Sequence, residues 1–407
     1  MVNNKRRVMS YKYQCVNCKK EYDNKELIYL CPECEKKNGK DSTLKGVLKV
    51  LYDYDKLKDT PFESFDDIIN IWPIKSMNSL SHLEVGNTPI YVKNYKENNL
   101  YFKFDALNPT FSFKDRASDL VCAVAKENGI DTVITASTGN AASSLAGISA
   151  AYELKSILFV PSSAPKAKLL QSALYGGKIV PVDGTYDDAF DLSIEATKKF
   201  GWYNRNTGYN PFTIEGKKSV SIEIFLQFYH SDTPIPNTIF VPVGDGVIIS
   251  GVYKGFEDLL LMGKIDKMPT IVAVQADGSN NIISNLDKDE FVYKSSNTVA
   301  DSISVDIPRN FHMAKDFILK YDGFGIEVTD EEILNASLTL GRKFGLFAEP
   351  ASAAAFAGVE KYLKENPDKK NEDLLILLTG SGLKDINSIE KLITLPKAIK
   401  TIEEFTL

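Results

Sequence analysis

The stretch Asn108-Pro-Thr-Phe-Ser-Phe-Lys-Asp-Arg116 sets one lysine, Lys114, between two phenylalanines and an acid–base pair. Phe111 and Phe113 give it a low-dielectric setting, which pushes an amine toward its neutral, nucleophilic form. Asn108-Pro109 signals a turn, and Ala117, Leu120, Val121, Val124 and Ala125 recur at helical spacing. The lysine therefore lies at the mouth of a helix, after a tight loop, where a cofactor can reach it. Alone, a Lys-Asp-Arg run reads as a solvated surface pairing with Asp115; the nucleophile reading gains its weight from three further loops.

A second group is Cys15-Val-Asn-Cys18 with Cys31-Pro-Glu-Cys34, four of the five cysteines. Two C-x-x-C knuckles on a short spacer match a zinc ribbon, whose four thiolates close a tetrahedral site with no open position. The role is then structural. Disulfides are the alternative, and a cytosolic chain disfavours them. Cys122, on the apolar face of a helix, reads as a small buried hydrophobe.

The 407 residues suffice for two or three domains, and the chain is 43% hydrophobic and 25% charged. A formal net charge of -6 argues against a nucleic-acid partner. No apolar run is long enough to span a bilayer, and Met1 to Arg7 is followed by no apolar segment of the secretory kind. A cytoplasmic location and no membrane partner are expected.

These groups need elements to position them. Residues 1–54 read as a small zinc-ribbon module ending in the strand Val47-Leu-Lys-Val-Leu-Tyr. Residues 55–407 read as a catalytic body, with two short amphipathic pieces around Trp72-Pro73 leading into it. A smaller α/β subdomain, roughly 116–215, is inserted in the larger one. Strands alternate with helices: Leu100-Tyr-Phe-Lys-Phe, Thr132-Val-Ile-Thr-Ala, Ser156-Ile-Leu-Phe-Val, Lys178-Ile-Val-Pro-Val, Thr238-Ile-Phe-Val, Ile271-Val-Ala-Val-Gln and Asp373-Leu-Leu-Ile-Leu-Leu, with helices over 141–151, 164–174 and 187–200. This alternation predicts an α/β fold with mostly parallel sheets flanked by helices, and ligands at the carboxyl ends of the strands.

Three loops fall at those ends. Ser137-Thr-Gly-Asn140 opens a helix, and its N–H groups and hydroxyls suit a substrate carboxylate, or else cap only their own helix. Gly244-Asp-Gly-Val-Ile-Ile-Ser-Gly251 lets backbone approach a phosphate, with Asp245 expected to point away. Neither G-x-G-x-x-G nor G-x-x-x-x-G-K-[ST] occurs, which weighs against dinucleotides and nucleoside triphosphates. Leu378-Thr-Gly-Ser-Gly-Leu-Lys-Asp385 offers Thr379 or Ser381 to a ring nitrogen. A lysine amine, a phosphate cradle, a carboxylate cradle and a ring-nitrogen hydroxyl together describe a site for pyridoxal phosphate (PLP), bound to lysine as a Schiff base.

At these residues the chain resembles the threonine synthases of the fold-type-II PLP enzymes, with the tryptophan synthase β-like fold. The resemblance runs through Gly86-Asn-Thr-Pro89, the lysine stretch, Ser137-Thr-Gly-Asn140, Glu349-Pro-Ala-Ser-Ala-Ala354 and Thr379-Gly-Ser-Gly-Leu-Lys-Asp385, and Cys15 to Cys34 resembles the zinc-ribbon start of some members. It implies two open, mostly parallel sheets and the conversion of O-phosphohomoserine and water to threonine and phosphate. It also implies a homodimer. By motif, Lys114 is the Schiff-base lysine and proton shuttle, and Asn140 bonds the cofactor's 3′-oxygen. Gly244, Asp245, Gly246, Val247 and Ile248 hold its phosphate, and Thr379 faces the ring nitrogen. Ser137, Thr138 and Gly139 take the substrate carboxylate.

Several positions depart from the family pattern. Ala141 stands where a threonine is usual. Thr207-Gly-Tyr-Asn-Pro-Phe-Thr213 replaces Asn-Ser-Val-Asn-Pro-Tyr-Arg, and Glu215-Gly-Lys-Lys-Ser219 replaces Glu-Gly-Gln-Lys-Thr. A phosphate dianion thereby loses a bidentate arginine at Thr213 and a serine at Gly208. Lys166, Lys168, Lys217 and Lys218 are the nearby cations that could compensate. The alternative expectation keeps the cofactor and changes the outcome: a β-eliminating ammonia-lyase, or a replacement enzyme, on another amino acid.

Overall fold

A computed structural model describes residues 11–39, 42–390, 392–396 and 398–405. The opening segment Met1 to Arg7, where no secretory signal was expected, lies outside the described residues. Thirteen strands are described: β1 (Tyr11–Cys15), β2 (Glu21–Asp23), β3 (Leu48–Tyr52), β4 (Ile90–Tyr95), β5 (Asn98–Phe104), β6 (Thr132–Ala136), β7 (Lys155–Pro161), β8 (Lys178–Val182), β9 (Tyr203–Asn204), β10 (Thr238–Pro242), β11 (Thr270–Ala276), β12 (Phe324–Val328) and β13 (Asp373–Leu378). They form three sheets, in the orders β2-β1-β3, β12-β11-β10-β13-β5-β4 and β8-β7-β6-β9.

The six-stranded sheet is parallel except at its edge, where β4 runs antiparallel to β5. The four-stranded sheet is parallel throughout. The fold is the expected one, two mostly parallel sheets with helices against them. Parallel strands buried on both faces need continuous apolar runs. Asp373-Leu-Leu-Ile-Leu-Leu is such a run, and every residue of β13 after Asp373 is buried.

The order of strands makes the site. β13, last in sequence, lies between β10 and β5, so the loop after it comes beside the loop after β5. Lys114 follows β5, and Gly244 follows β10. The two loops are stitched directly: the Phe113 N–H donates to the Thr379 carbonyl at 2.8 Å and the Ser381 N–H to Phe111 at 3.0 Å. Ser112 also bridges Gly380.

Several elements carry no plain periodic signal and were not anticipated from the sequence. The Phe212–Lys217 and Ser219–His230 helices are buried nearly all round, which erases an amphipathic pattern. β9 has two residues. The two short pieces expected around Trp72-Pro73 are present, as the 3₁₀ turns Phe65–Ile71 and Met77–Ser79.

The small antiparallel sheet and the short helix after it, Tyr54–Leu57, dock on the body through two tyrosines and a lysine. Tyr52 donates to Glu215 at 2.7 Å, Tyr54 to Asp258 at 2.6 Å, and Lys49 pairs with Glu257 at 2.7 Å. Glu215 belongs to the Phe212–Lys217 helix, and Asp258 and Glu257 to the Val247–Leu261 helix. The Val247–Leu261 helix also reaches the candidate site.

Candidate active site

Lys114 is the residue before the Asp115–Glu127 helix. The turn that delivers it is strained at Phe111, whose φ of 69° is unusual for a bulky residue. Phe113 is fully buried, but Phe111 is 42% exposed, so only one of the two aromatics supplies the expected low-dielectric wall. The residues after the lysine are committed elsewhere. Asp115 accepts from the Thr110 N–H and hydroxyl. Arg116 pairs with Asp105 and Glu223. Lys114 is therefore not the partner of Asp115 on an open surface. Burial lowers its pKa, opposed by the charges of Asp245 and Glu349 and helped by Arg205.

A narrow cleft is lined by Lys114, Asn140, Gly244, Asp245, Gly246, Ile248, Ser302, Glu349 and Thr379. It opens beside a wider cavity of about 500 Å³, lined by Lys114, Ser137, Thr138, Gly139, Asn140, Ala141, Thr207, Asp245, Ser302 and Arg309 among others. Lys114 and Asn140 stand on the wall common to both. Val247 is buried and does not line the cleft.

Gly246 closes the phosphate-type loop in the left-handed region, φ +86°, where a Cβ would come within 2.9 Å of the Ala314 Cβ. A Cβ on Gly244 would come within 2.9 Å of the Ile303 Cα. The first N–H groups of the Val247–Leu261 helix face this loop without helical partners. One of them is taken: Asp245 accepts from the Val247 N–H at 3.0 Å. Asp245 thus lines both cavities instead of pointing away, because its carboxylate caps a free amide and answers the surrounding cations.

Asn140 begins the Asn140–Ala151 helix, and its amide donates to Glu349 at 2.9 and 3.2 Å and to Ser302 at 3.3 Å. Burial pushes the Glu349 carboxyl up to about 7, against the Asn140 hydrogen bond and the charges of Lys384 and Lys114. Glu349 precedes Pro350, the first residue of its helix, so the motif gave its place but not its contact with Asn140. Ser302 and Arg309 come from loops with no motif, and sequence reasoning missed both. Thr379 donates its N–H to Ser352 Oγ at 2.8 Å and lines the cleft. Lys384 reaches across to Ser143 Oγ at 2.8 Å.

The departures acquire physical reasons. Gly208 has φ +75°, and a Cβ there would lie 3.0 Å from the Arg309 backbone, so a serine does not fit. Thr213 is buried and donates to the Asn210 carbonyl at 2.7 Å. Of the four lysines considered as substitutes, Lys168 pairs on the surface with Asp301 and Lys166 is exposed. Lys218 is tied to Glu215, Asp258 and the Ile71 carbonyl. Lys217 is fully buried, and its ammonium has no hydrogen-bond partner.

Residues 82–380 match the family described as "Pyridoxal-phosphate dependent enzyme". The chain belongs to that family. It is 37% identical to the threonine synthase of Methanocaldococcus jannaschii over 389 residues, covering 91% of this chain and 92% of that one. It is 31% identical to the threonine synthase of Methanosarcina acetivorans, over 93% of each. In structure it is similar to the processed threonine deaminase isoform 2 of Solanum lycopersicum, with a TM-score of 0.67, 22% identity, and coverage of 90% of this chain and 96% of that chain. Maize serine racemase gives a TM-score of 0.63 at 20% identity, covering 76% and 93%. The enzyme is thus a PLP-dependent, threonine synthase-like lyase. The residues present fit the cofactor: a half-buried lysine that lines the cleft, a glycine loop too tight for side chains, helix N–H groups without helical partners and a neutral hydroxyl at Thr379.

Among the N-terminal residues the Sγ atoms of Cys15, Cys18, Cys31 and Cys34 all lie within 4.8 Å of one another. The Cys18 and Cys31 sulfurs are 3.7 Å apart. Four thiolates about 2.3 Å from one ion have sulfur–sulfur edges of about 3.8 Å, so the cluster suits a tetrahedral metal. Cys122 is buried beside Ser149 Oγ, as a small core residue.

Proposed function

We propose that this enzyme converts O-phosphohomoserine and water to threonine and phosphate. The observation that carries the reading is the similarity to threonine synthases along nearly the full length of both chains, with Lys114 on the wall shared by the two cavities. PLP, when bound, supplies an electron sink at the α-carbon of an amino acid. In this reading Gly244, Asp245, Gly246, Val247 and Ile248 form the cradle for its phosphate, Asn140 donates to its 3′-oxygen, and Thr379 offers the ring nitrogen an uncharged hydroxyl.

The chain's own groups then divide the work. Ser137, Thr138 and Gly139, at the mouth of the Asn140–Ala151 helix, orient the substrate carboxylate with N–H groups and the helix dipole. The Lys114 amine, made neutral more readily by burial, takes the α-proton and returns a proton further along the side chain. Glu349 holds the Asn140 amide in place. Residues 1–54 act as a zinc-ribbon module, with Zn²⁺ on Cys15, Cys18, Cys31 and Cys34 in a structural role. Residues 55–407 act as the catalytic body, with the roughly 116–215 subdomain closing one side of the cleft.

The test is incubation of the holoenzyme with O-phosphohomoserine, assaying phosphate and threonine together. Stoichiometric release of both is expected. The changes at Ala141, Gly208 and Thr213 favour a second reading, an amino-acid ammonia-lyase or replacement enzyme. Ammonia from serine or threonine, with no phosphate from O-phosphohomoserine, would establish that reading in place of the first.

A further inference from the structure

Asn310 stands immediately before the Phe311–Lys320 helix, where an asparagine ordinarily accepts from an amide of the first turn. Its side chain makes no such bond. The residue is fully buried, and its amide reaches to another element instead. Nδ2 donates to Ser250 Oγ at 2.7 Å and to the Gly246 carbonyl at 3.3 Å, and the Asn310 N–H donates to the Asp245 carbonyl at 3.1 Å. One residue thus grips the glycine loop and the first turn of the Val247–Leu261 helix. In a trans peptide the C=O and the following N–H point opposite ways. Carbonyls held at Asn310 therefore turn the Gly246 and Val247 N–H groups away from it, and Gly246 lines the cleft. The other amide atom, Oδ1, is buried with no partner among the described residues, a cost that an apolar side chain would avoid. The position therefore calls for a donor to the loop and not for a space-filler. The same helix also walls the loop, since a Cβ on Gly246 would come within 2.9 Å of the Ala314 Cβ.

Residues two apart on a helix point nearly opposite ways. His312 and Asp316, two positions either side of Ala314, meet the cysteine-bearing segment. His312 Nε2 and Thr43 Oγ1 are 3.1 Å apart, and Asp316 pairs with Lys19 at 2.8 Å. The Lys49 ammonium lies 5.2 Å from the centre of the Phe317 ring. The Lys19–Asp316 pair is exposed and contributes little, so the better-buried Thr43 and Lys49 contacts seat the helix. The cysteine knuckles set where these residues stand. Lys19 directly follows Cys18, and Thr43 comes shortly before Gly46. The Gly46 carbonyl accepts from the Cys31 N–H at 2.8 Å, and its N–H donates to Asn17 Oδ1, between Cys15 and Cys18, at 2.7 Å. The Phe311–Lys320 helix therefore lies between the cysteine cluster and the glycine loop and touches both.

We propose that Asn310 is a positioning residue for the phosphate cradle, and that metal at the four cysteines tightens PLP binding through it. The proposal rests on the reading of the Gly244 to Ile248 loop given above. Four thiolates drawn onto one ion fix the knuckles, the knuckles seat the helix, and Asn310 at its start holds the loop carbonyls. Loss of the metal loosens that seat, and by linkage PLP tightens the metal by the same factor.

The experiment is absorbance titration of the full chain, freed of cofactor, with PLP and with pyridoxal, which lacks the phosphate. Wild type, zinc-loaded and chelator-stripped, is compared with Asn310→Ala, Asn310→Leu and Thr43→Val. Both Asn310 variants are expected to weaken PLP at least about ten-fold and to leave pyridoxal unchanged. Stripping wild type is expected to weaken PLP about five-fold or more, again without effect on pyridoxal, and zinc added back should restore it. In the Asn310 variants metal removal should change PLP affinity no further, because the connection is already cut. Thr43→Val is expected to keep its zinc and bind PLP as weakly as stripped wild type. Asn310 variants that weaken PLP and pyridoxal alike would reduce the residue to a folding role and overturn the proposal. Wild-type PLP affinity indifferent to metal would overturn the part given to the cysteines. Wild type that bound pyridoxal as tightly as PLP would sink the cradle reading itself. Phosphate-dependent binding in wild type, with Asn310 variants that bind PLP equally well, would sink this proposal and leave the cradle standing.

Discussion

The proposed chemistry turns on Lys114, and its setting differs from what its neighbours in sequence suggest. Asp115 and Arg116 are both engaged elsewhere, leaving the amine to Asp245, Glu349 and the cavity. Lys114→Ala is expected to abolish the visible absorbance band of lysine-bound PLP and to lower turnover by about 10³-fold or more. A retained band would remove Lys114 from its role. Glu349 gives a pH-dependent prediction. Its carboxyl is raised in the fold to about 7 from an ordinary 4.5. Folding therefore favours the protonated form, and the penalty for burying the charge is full above pH 7 and fades as pH falls toward 4.5. Glu349→Gln removes that penalty. In cofactor-free protein the variant is expected to be more stable than wild type at pH 8, by on the order of 1–3 kcal/mol. The advantage should shrink through pH 6 and vanish near pH 4.5 in denaturant titrations. A difference independent of pH would show that Glu349 is not held in this way.

At the scale of elements, the loop from β10 into the Val247–Leu261 helix depends on one backbone conformation. Gly246 combines a positive φ with a Cβ position blocked by Ala314 and Ile282. Gly246→Ala is expected to cost about 1–3 kcal/mol and to weaken PLP binding more than ten-fold, read from the absorbance of a cofactor titration. An alanine variant that binds PLP as wild type does would show that this loop is not the cradle. The glycine-rich spelling of the loop was legible in the sequence. The turning inward of Asp245 was not, because it answers charges on Lys114, Lys217 and Arg205 that arrive from three other segments.

At the scale of the whole molecule, the segment that carries the four cysteines packs on a helix that also lines the candidate site. Tyr54 holds Asp258 on the Val247–Leu261 helix, whose first residues reach the cleft, and Tyr52 holds Glu215 beside it. Stripping metal with a strong chelator is expected to release one zinc per chain and lower the melting temperature of the holoenzyme. Cys31→Ser should do the same without chelator. Full stability and no metal by elemental analysis in wild type would remove the zinc reading.

The amino-acid order alone determined the parts whose signal is local. Alternating apolar strands and helices set the α/β class, paired C-x-x-C knuckles set the cysteine cluster, and short glycine and lysine motifs marked the loops that line the cleft. Each is a property of residues within a few positions of one another. Which cations are left unmatched, which carboxylate meets Asn140, and why glycine occupies 208 were decided only by the tertiary structure. Electrostatic compensation and close packing depend on distances in space, and here they join residues that stand from tens to hundreds of positions apart along the chain.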